Sequence, residues 1–515
     1  MALETRPEPP PTAAVPAGRP WMLRALVFVV GASSLGAEIS AARLLAPYFG
    51  ASTIIWANTI ATVLIALSAG YALGGRLADR RADLRGLCAV VLLAGVLLAI
   101  VPFISGPFLR LSVSALGSLS VGAFLGSLAA VLVLVAVPVM LLGTVAPYAN
   151  RLSVASLADT GRTTGGLYAI STVGSLVGTF LAALLLIPLI GTHRTFIIFA
   201  LSLVLAAAAG LRSWRVLLVP LAVAASLAIP PAAIGADVRG GRVIYETETQ
   251  YQYARVIQFP SGVRWLQLNE GVAVHSLYRP GSYLTGGYWD DFLGLPFATQ
   301  GQAPRRIAIL GDAAGTVARA YGHYFPRTRV DAVELDGELT TIGRRYFHLS
   351  GPALHTYTAD ARPWLRATRA RYDSIFLDAY RQPYIPFYLL TREFFTNVRA
   401  HLNPAGTFII NVGHLPGSSG LEQVVTATLR SVFRHVSRDR FSADNSLVMA
   451  SRHSLSAPAI LSAAVRRPPD LEGVMAAVAG RLGAPLRGGT VYTDDRSPVE
   501  WLTDLSIIRY ATGSR

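Results

Sequence analysis

The sequence predicts a multi-pass α-helical membrane domain followed by an α/β domain that begins with a small β-hairpin subdomain. Residues 22–235 carry long apolar runs, each near the ~20 residues that a helix needs to cross ~30 Å of hydrocarbon. From about residue 237 onward the apolar runs shrink to strand length and charged residues return. We therefore expect a disordered tail at 1–20, a transmembrane domain at 21–236, a β subdomain at 237–300 and an α/β domain at 301–515.

Composition excludes several functional classes. The mean hydropathy of +0.45 and the apolar content of 52% are too high for an ordinary soluble protein. The net charge is +15, but membrane proteins place arginines beside their spans, so this charge does not indicate a nucleic-acid partner. Cys88 is the only cysteine, which argues against a disulfide framework and a thiolate metal site.

Hydropathy predicts six or seven spans. The runs lie near 22–46, 53–75, 87–105, 121–146, 164–191, 194–211 and 216–234. The last two are the weakest, and the final one ends in two prolines. The arginine-rich loops after the second, fourth and sixth runs are predicted to be cytoplasmic. Six spans place the following domain in the cytosol, whereas seven place it outside. We expect a multi-pass protein of the cell membrane with a cytoplasmic C-terminal domain and a final run that lies at the interface.

Two ionisable residues, Glu38 and Arg43, lie inside the first apolar run, where such side chains are costly unless they are paired or face a cavity. One interpretation is a polar site for a charged solute within the bundle. The other is that Arg43 extends to the interface and Glu38 pairs with a neighbouring helix.

The sequence of the C-terminal half predicts two kinds of sheet. The stretch "RVIYETETQYQYARVIQFPSGVRWLQLNEGVAVHSLY" alternates in short runs split by "PSG" and "NEG", which predicts antiparallel hairpins. The runs "RRIAILG", "RVDAVELD", "ALHTYTAD", "YDSIFLDAY" and "GTFIINV" then alternate with helical stretches, which predicts a parallel sheet covered on both faces. In such sheets, ligands bind beyond the carboxyl ends of the strands.

Four acids follow these strands at their carboxyl ends: Asp312, Glu334, Asp360 and Asp378. Gly311 and Gly315 let the backbone turn tightly and approach a ligand. Glu334 lies 334 − 311 = 23 residues after Gly311, close to the ~20 expected for an acid that binds ribose hydroxyls. The pattern therefore predicts a nucleotide site.

This spacing alone does not separate a dinucleotide from an adenosylmethionine-type ligand. The latter is favoured because the loop is not G-x-G-x-x-G and because Asp360 is available to an adenine amino group. Asp360 also fits a helix cap before "ARPWLRA", and Asp378 also fits a strand-end residue bonded to a loop.

Five stretches match the motifs of a known family: "TQYQYARV", "LQLNEGVAVHS", "GGYWDDFLG", "YDSIFLDAY" with the segment after it, and "YTDDRSPVEWL" at 492–502. On these motifs, residues from about 241 to 415 resemble the spermidine synthases, the polyamine aminopropyltransferases, and the preceding spans resemble the membrane-fused branch of that family. The resemblance implies a Rossmann-like domain of the S-adenosylmethionine methyltransferase type.

The resemblance also implies roles for single residues. Decarboxylated S-adenosylmethionine would be the co-substrate, with no prosthetic group and no metal, held by Gln252, Gly311, Asp312, Gly315, Glu334 at the ribose and Asp360 at the adenine. Asp378 would be the catalytic base for an attacking amine. Tyr253, Asp290 and Tyr380 would contact that amine.

Departures from the family motifs leave alternatives open. The family's Asp that grips the far ammonium of putrescine is Arg381 here, which deprives a dicationic diamine of a counter-charge. The identity of the amine acceptor, putrescine or another polyamine, therefore stays open. A second interpretation is a methyltransferase that uses intact S-adenosylmethionine, whose carboxylate Arg381 would suit. A third is a transporter or sensor with a non-catalytic nucleotide-binding domain. The family further implies a homodimer formed through the small β domain, in addition to contact with the lipid bilayer.

Overall fold

The computed structural model describes residues 20–49, 53–80, 82–115, 121–154, 160–229, 238–269, 273–381 and 384–512. The chain divides into two compact units, one that ends at Ile234 and one that begins at Gly235. The tail predicted at 1–20 lies outside the described residues apart from Pro20.

Six helices in the described part of the first unit are long and apolar enough to cross a membrane, as the predicted multi-pass class requires. They span Pro20–Phe49, Ile55–Arg80, Leu84–Leu109, Leu125–Ser153, Thr160–Ile190 and Thr192–Leu211. The last predicted run forms the shorter apolar helix Trp214–Ser226. At about 1.5 Å per residue this helix covers about 20 Å, which is less than the ~30 Å of a hydrocarbon core.

Two of the long helices widen into a π-helical turn just before a proline. The turn Leu132–Ala136 precedes Pro138, and the turn Leu181–Leu186 precedes Pro188. Proline has no N–H to donate and its ring crowds the preceding turn, so the regular hydrogen-bond ladder is interrupted at these points.

The first and fifth of these helices pack backbone to backbone. A Cβ added to Gly174 would lie 2.2 Å from the carbonyl oxygen of Phe28, so glycine permits this close approach. Glu38 and Arg43 are half-buried on the helix Pro20–Phe49. Their role in the bundle stays a prediction.

The second unit begins with a four-stranded antiparallel sheet in the order β1-β2-β3-β4. Its strands are β1 (Arg242–Glu248), β2 (Tyr253–Gln258), β3 (Arg264–Leu268) and β4 (Val274–Tyr278). The β2–β3 turn contains Gly262 at φ +78°, a conformation that glycine adopts without strain. Ala254 and Val256 of this sheet pack against Leu339 and Ile342 of the following domain.

The larger sheet has eight strands in the order β12-β10-β11-β9-β8-β5-β6-β7. The strands are β5 (Arg306–Leu310), β6 (Arg329–Glu334), β7 (Leu354–Thr358), β8 (Tyr372–Leu377), β9 (Leu402–Gly413), β10 (His435–Asp439), β11 (Asn445–Ser451) and β12 (Leu482–Gly483). Strands β5 to β9 pair in parallel, which confirms the predicted α/β class, whereas β10, β11 and β12 add an antiparallel edge that the sequence did not predict.

Helices cover both faces of this sheet. They span Asp291–Gly294, Phe297–Gln300, Thr316–Tyr324, Gly337–Tyr346, Ala361–Ala367, Arg392–His401, Gly420–Arg430, Ala457–Ala464, Pro469–Arg481 and Val499–Thr512. Two apolar clusters result, one around Phe394 and Phe408 and the other around Phe292 and Phe376. The chain leaves β5 toward β6 on one side, and β8 lies on the other side of β5, so the strand order reverses at β5 and β8. Ligands of α/β sheets bind at such a reversal.

Candidate active site

A cavity of about 430 Å³ opens at the carboxyl ends of β5, β8 and β9, where the strand order reverses. Its wall includes Gly311, Asp312, His275, Asp378, Tyr380 and Asn411. Four of the residues that the sequence predicted for the site or its neighbourhood therefore meet there: Gly311, Asp312, Asp378 and Tyr380.

The loop after β5 requires glycine at its first position. Gly311 has φ +89°, and a Cβ there would lie 2.6 Å from both the Cα of Ala379 and the carbonyl oxygen of Asp378. Gly315 has φ +86° and precedes the helix Thr316–Tyr324. The loop therefore brings backbone close to the strand end that carries Asp378.

Asp378 accepts hydrogen bonds from side chains in distant parts of the chain, among them Tyr288 and Asn411. The hydroxyl of Tyr288 donates to Oδ2 at 3.1 Å, and Nδ2 of Asn411 donates to Oδ1 at 2.8 Å. Burial raises the pKa of Asp378 to about 6, although these two hydrogen bonds act in the opposite direction. The carboxylate is therefore fixed in place and mostly ionised at neutral pH.

Asp312 presents an unsatisfied carboxyl oxygen. Its side chain is buried, and Oδ1 has no hydrogen-bond partner among the described residues. Burial, followed by the charges of Glu334 and Asp378, raises the pKa of Asp312 well above its usual range. A cation in the cavity would relieve this cost, because it supplies both a hydrogen-bond donor and a counter-charge.

Glu334 lies at the end of β6 and is bonded to the backbone of two turns. The N–H of Ala313 donates to Oε2 at 2.9 Å, and the N–H of Asp336 donates to Oε1 at 3.0 Å. Burial raises the pKa of Glu334 above its usual value, although these two hydrogen bonds act in the opposite direction. Gln252 lies nearby, where its Nε2 donates to Oδ2 of Asp336 at 3.3 Å.

Asp360 caps the helix Ala361–Ala367. Its Oδ1 accepts from the N–H of Arg362 at 3.0 Å, and its Oδ2 accepts from the hydroxyl of Tyr388 at 2.8 Å. The capping interpretation therefore describes this residue, and the adenine contact stays a prediction.

Two of the three residues predicted to contact the amine are engaged elsewhere. Asp290 is buried and accepts from the backbone of Thr285 and Gly286 and from the hydroxyl of Thr285. Tyr253 is buried in β2 and donates to Glu246. Neither of them is among the residues that line the cavity.

Tyr380 does line the cavity, and its contact with the amine stays a prediction. Its hydroxyl donates to the carbonyl oxygen of Asn411 at 3.0 Å and accepts from the N–H of Gly413 at 2.7 Å. Burial raises the pKa of this hydroxyl above its usual value.

Sequence reasoning gave no role to His275, Asn411 and Asn445, which also line the cavity. Burial lowers the pKa of His275 to about 4, so its ring is neutral at pH 7, and its Nε2 has no partner in the described part of the chain. A polar residue near the end of the apolar run "FIINV" was a signal for Asn411. Among the described residues that line the cavity there is no arginine, so Arg381 is not part of this wall.

Comparison with curated proteins confirms the predicted resemblance to polyamine aminopropyltransferases. The chain is 32% identical over 283 residues to a probable polyamine aminopropyl transferase of Bifidobacterium longum, covering 50% of this chain and 61% of that protein. It is 36% identical over 135 residues to a polyamine aminopropyltransferase of Vibrio vulnificus, covering 25% of this chain and 44% of that protein. The chain therefore spans less than two thirds of the length of either relative.

Among solved structures, a probable spermidine synthase of Corynebacterium glutamicum aligns with a TM-score of 0.38 and 21% identity, over 50% of this chain and 98% of that one. No family model matches the chain.

Proposed function

We propose that this protein is a membrane-anchored aminopropyltransferase that moves the aminopropyl group of decarboxylated S-adenosylmethionine to an amine. The observation that carries the proposal is the pair of buried carboxyl groups, Asp312 and Asp378, on the cavity wall without an arginine among the described lining residues. The similarity to curated polyamine aminopropyltransferases supports the same reaction class.

The acidic wall favours the decarboxylated donor over the intact one. Decarboxylated S-adenosylmethionine carries a sulfonium and an ammonium, and both are attracted by buried carboxylates. Intact S-adenosylmethionine adds a carboxylate, which would be brought close to Asp312 and Asp378 without a matching cation. The methyltransferase alternative assigned Arg381 to that carboxylate, and Arg381 does not line the cavity.

The proposed donor site combines the loop after β5 with the ends of β6 and β7. Gly311, Asp312 and Gly315 would lie along the aminopropyl and sulfonium part of the donor, with Asp312 accepting from its ammonium. Gln252 and Glu334 would bind the ribose side, and Asp360 would accept from the adenine amino group while it caps its helix.

In the proposed reaction, Asp378 accepts the proton of the attacking amine. The amine nitrogen forms a bond to the carbon next to the sulfonium as the C–S bond breaks, and a neutral thioether nucleoside leaves. The hydrogen bonds from Tyr288 and Asn411 hold the carboxylate in one orientation. Proton acceptance and fixed alignment are the two contributions that this chemistry requires from the protein.

The acceptor is proposed to be putrescine or another polyamine, with Tyr380 on the acceptor side of the cavity.

The six long apolar helices suggest a membrane-spanning region. We place the α/β unit on the cytoplasmic side, because the arginine-rich loops follow even-numbered helices and the proposed donor is made in the cytosol.

The test uses the full chain in lipid nanodiscs with donors that carry an isotope label in either the aminopropyl or the methyl group. Transfer of the aminopropyl label to a polyamine supports the proposal, and transfer of the methyl label contradicts it. Asp378→Asn is expected to bind the donor but to transfer slowly, whereas the exposed control Asp495→Asn keeps wild-type turnover. Donor binding without any transfer by the wild type would favour the sensor alternative.

A further inference from the structure

Two asparagines form a hydrogen-bonded chain that ends on Asp378. Nδ2 of Asn411 donates to Oδ1 of Asp378 at 2.8 Å, and Nδ2 of Asn445 donates to Oδ1 of Asn411 at 2.9 Å. Asn411 lies near the end of β9 and Asn445 begins the antiparallel strand β11. In this register Asn411 is opposite Leu447 and Asn445 is opposite Gly413, so the two amides are diagonal neighbours on one face of the sheet.

The direction of both amides follows from the carboxylate. An ionised carboxylate only accepts hydrogen bonds, so Asn411 must turn its NH₂ toward Asp378 and its oxygen toward Asn445. Asn445 must then donate with its own NH₂, which leaves its Oδ1 facing elsewhere. Oδ1 of Asn445 is buried and has no hydrogen-bond partner in the described part of the chain, while its NH₂ is the group that faces Asn411. Reversing either amide would place two acceptor oxygens against each other.

We propose that Asn445 is a positioning residue that holds the amide of Asn411 with its donor toward Asp378, so that the carboxylate keeps one orientation and its ionised form is favoured. The role of Asp378 as a base rests on the proposed aminopropyl transfer, but the chain of amides does not. Asn445 does not touch the carboxylate itself. Its effect on Asp378 must therefore pass through Asn411.

Other groups around Asp378 set the background for this effect. Tyr288 bonds to its second oxygen, while Asp312 and Tyr380 interact with it through charge. The cavity wall also carries His275, His414 and Asp444. Oδ1 itself accepts from Asn411 at 2.8 Å and from Tyr288 at 3.4 Å, so Asn411 is the nearer of these two donors.

The test follows the protonation of Asp378 by infrared titration of the full chain, with its carboxyl band assigned by its loss in Asp378→Asn. Asn411→Leu removes the donor and is expected to raise the midpoint. Asn445→Asp offers only acceptors, so it draws the NH₂ of Asn411 away and is expected to raise the midpoint by about one pH unit, a tenfold change in the proton equilibrium. Ser446→Ala removes a neighbouring buried hydroxyl that has no partner in the described chain, and it should leave the midpoint unchanged.

A double variant separates the amide chain from simple charge repulsion. In the Asn411→Leu background, Asn445→Asp is expected to have little further effect, because the residue that transmits it is gone. An equal rise in both backgrounds, or no rise in either, would overturn the inference. If Asn445→Asp does not fold, Asn445→Ala replaces it, with a smaller rise expected that again depends on Asn411.

The two proposals fail differently in this design. The titration needs no turnover, so a wild type that transfers no aminopropyl group refutes the proposed function while the midpoints still test the amide chain. Where transfer occurs, Asn445→Ala should lower kcat and leave the KM for the donor unchanged, since the residue acts on the base. A rise in the donor KM with an unchanged kcat would contradict a positioning role.

Discussion

Lowering the pH from 7 to 5 is expected to reduce kcat of aminopropyl transfer about tenfold, because the proton acceptor Asp378 becomes protonated in this range. Burial raises the pKa of Asp378 to about 6. A carboxyl with this pKa is about 91% ionised at pH 7 and about 9% ionised at pH 5. Since only the ionised form accepts a proton, activity is present above pH 6 and is lost as the pH falls through that value.

Three variants test whether the fall of kcat at low pH, the acidic limb of the profile, comes from the carboxylate of Asp378. Asp378→Asn should lower kcat by about 10²–10⁴-fold and abolish the limb, since the amide accepts no proton from an attacking amine. Tyr288→Phe removes a hydrogen bond that lowers the pKa of Asp378, so the limb should move to higher pH. Tyr324→Phe removes a hydroxyl that bonds to Asp470 outside the cavity, and the limb should stay in place.

The assay measures kcat with both substrates saturating, from pH 5 to pH 8, on the full chain in nanodiscs. Donor binding is measured in parallel by calorimetry, so that a loss of affinity at low pH is not mistaken for a loss of chemistry. A profile that is flat between pH 5 and pH 7, or an Asp378→Asn variant with wild-type kcat, would refute the assignment of Asp378 as the base.

Three further substitutions test the loop and the strand ends. Gly311→Ala should lower the free energy of unfolding of the α/β unit by about 2–5 kcal/mol, because φ is positive and the new Cβ would lie 2.6 Å from the Cα of Ala379. Denaturant unfolding measures this change, and a loss under about 1 kcal/mol would contradict the geometry. Asp312→Asn should weaken the decarboxylated donor by about 10- to 100-fold and the intact donor less, since it removes a charge-assisted hydrogen bond; equal losses in calorimetry would argue against the ammonium contact. Asp360→Ser keeps a good helix cap, so unfolding should change by less than about 1 kcal/mol while donor affinity falls; unchanged affinity would leave Asp360 with capping alone.

Some of the site could be predicted from the sequence because its signals are local. Gly311 and Asp378 directly follow an apolar strand, Asp312 comes one residue after Gly311, and parallel strands end at a common edge. The positions of Asp290 and Tyr253 outside the cavity could not be predicted in this way, because their side chains form hydrogen bonds within their own turn or sheet. Asn411 and Asn445 lie 34 positions apart, and nothing local indicates that their amides meet.

The sequence by itself determined the order of the elements, since apolar run length separates membrane helices from strands and since glycines and acids mark the strand ends. Only the tertiary structure decided which of those acids face one cavity, because that depends on strand order and on side-chain direction. Tyr288 and Asn411, which are 90 and 33 positions from Asp378, reach the same carboxylate only after the sheet has formed. The pKa of that carboxyl is likewise a property of burial, which arises when distant segments pack together and exclude water.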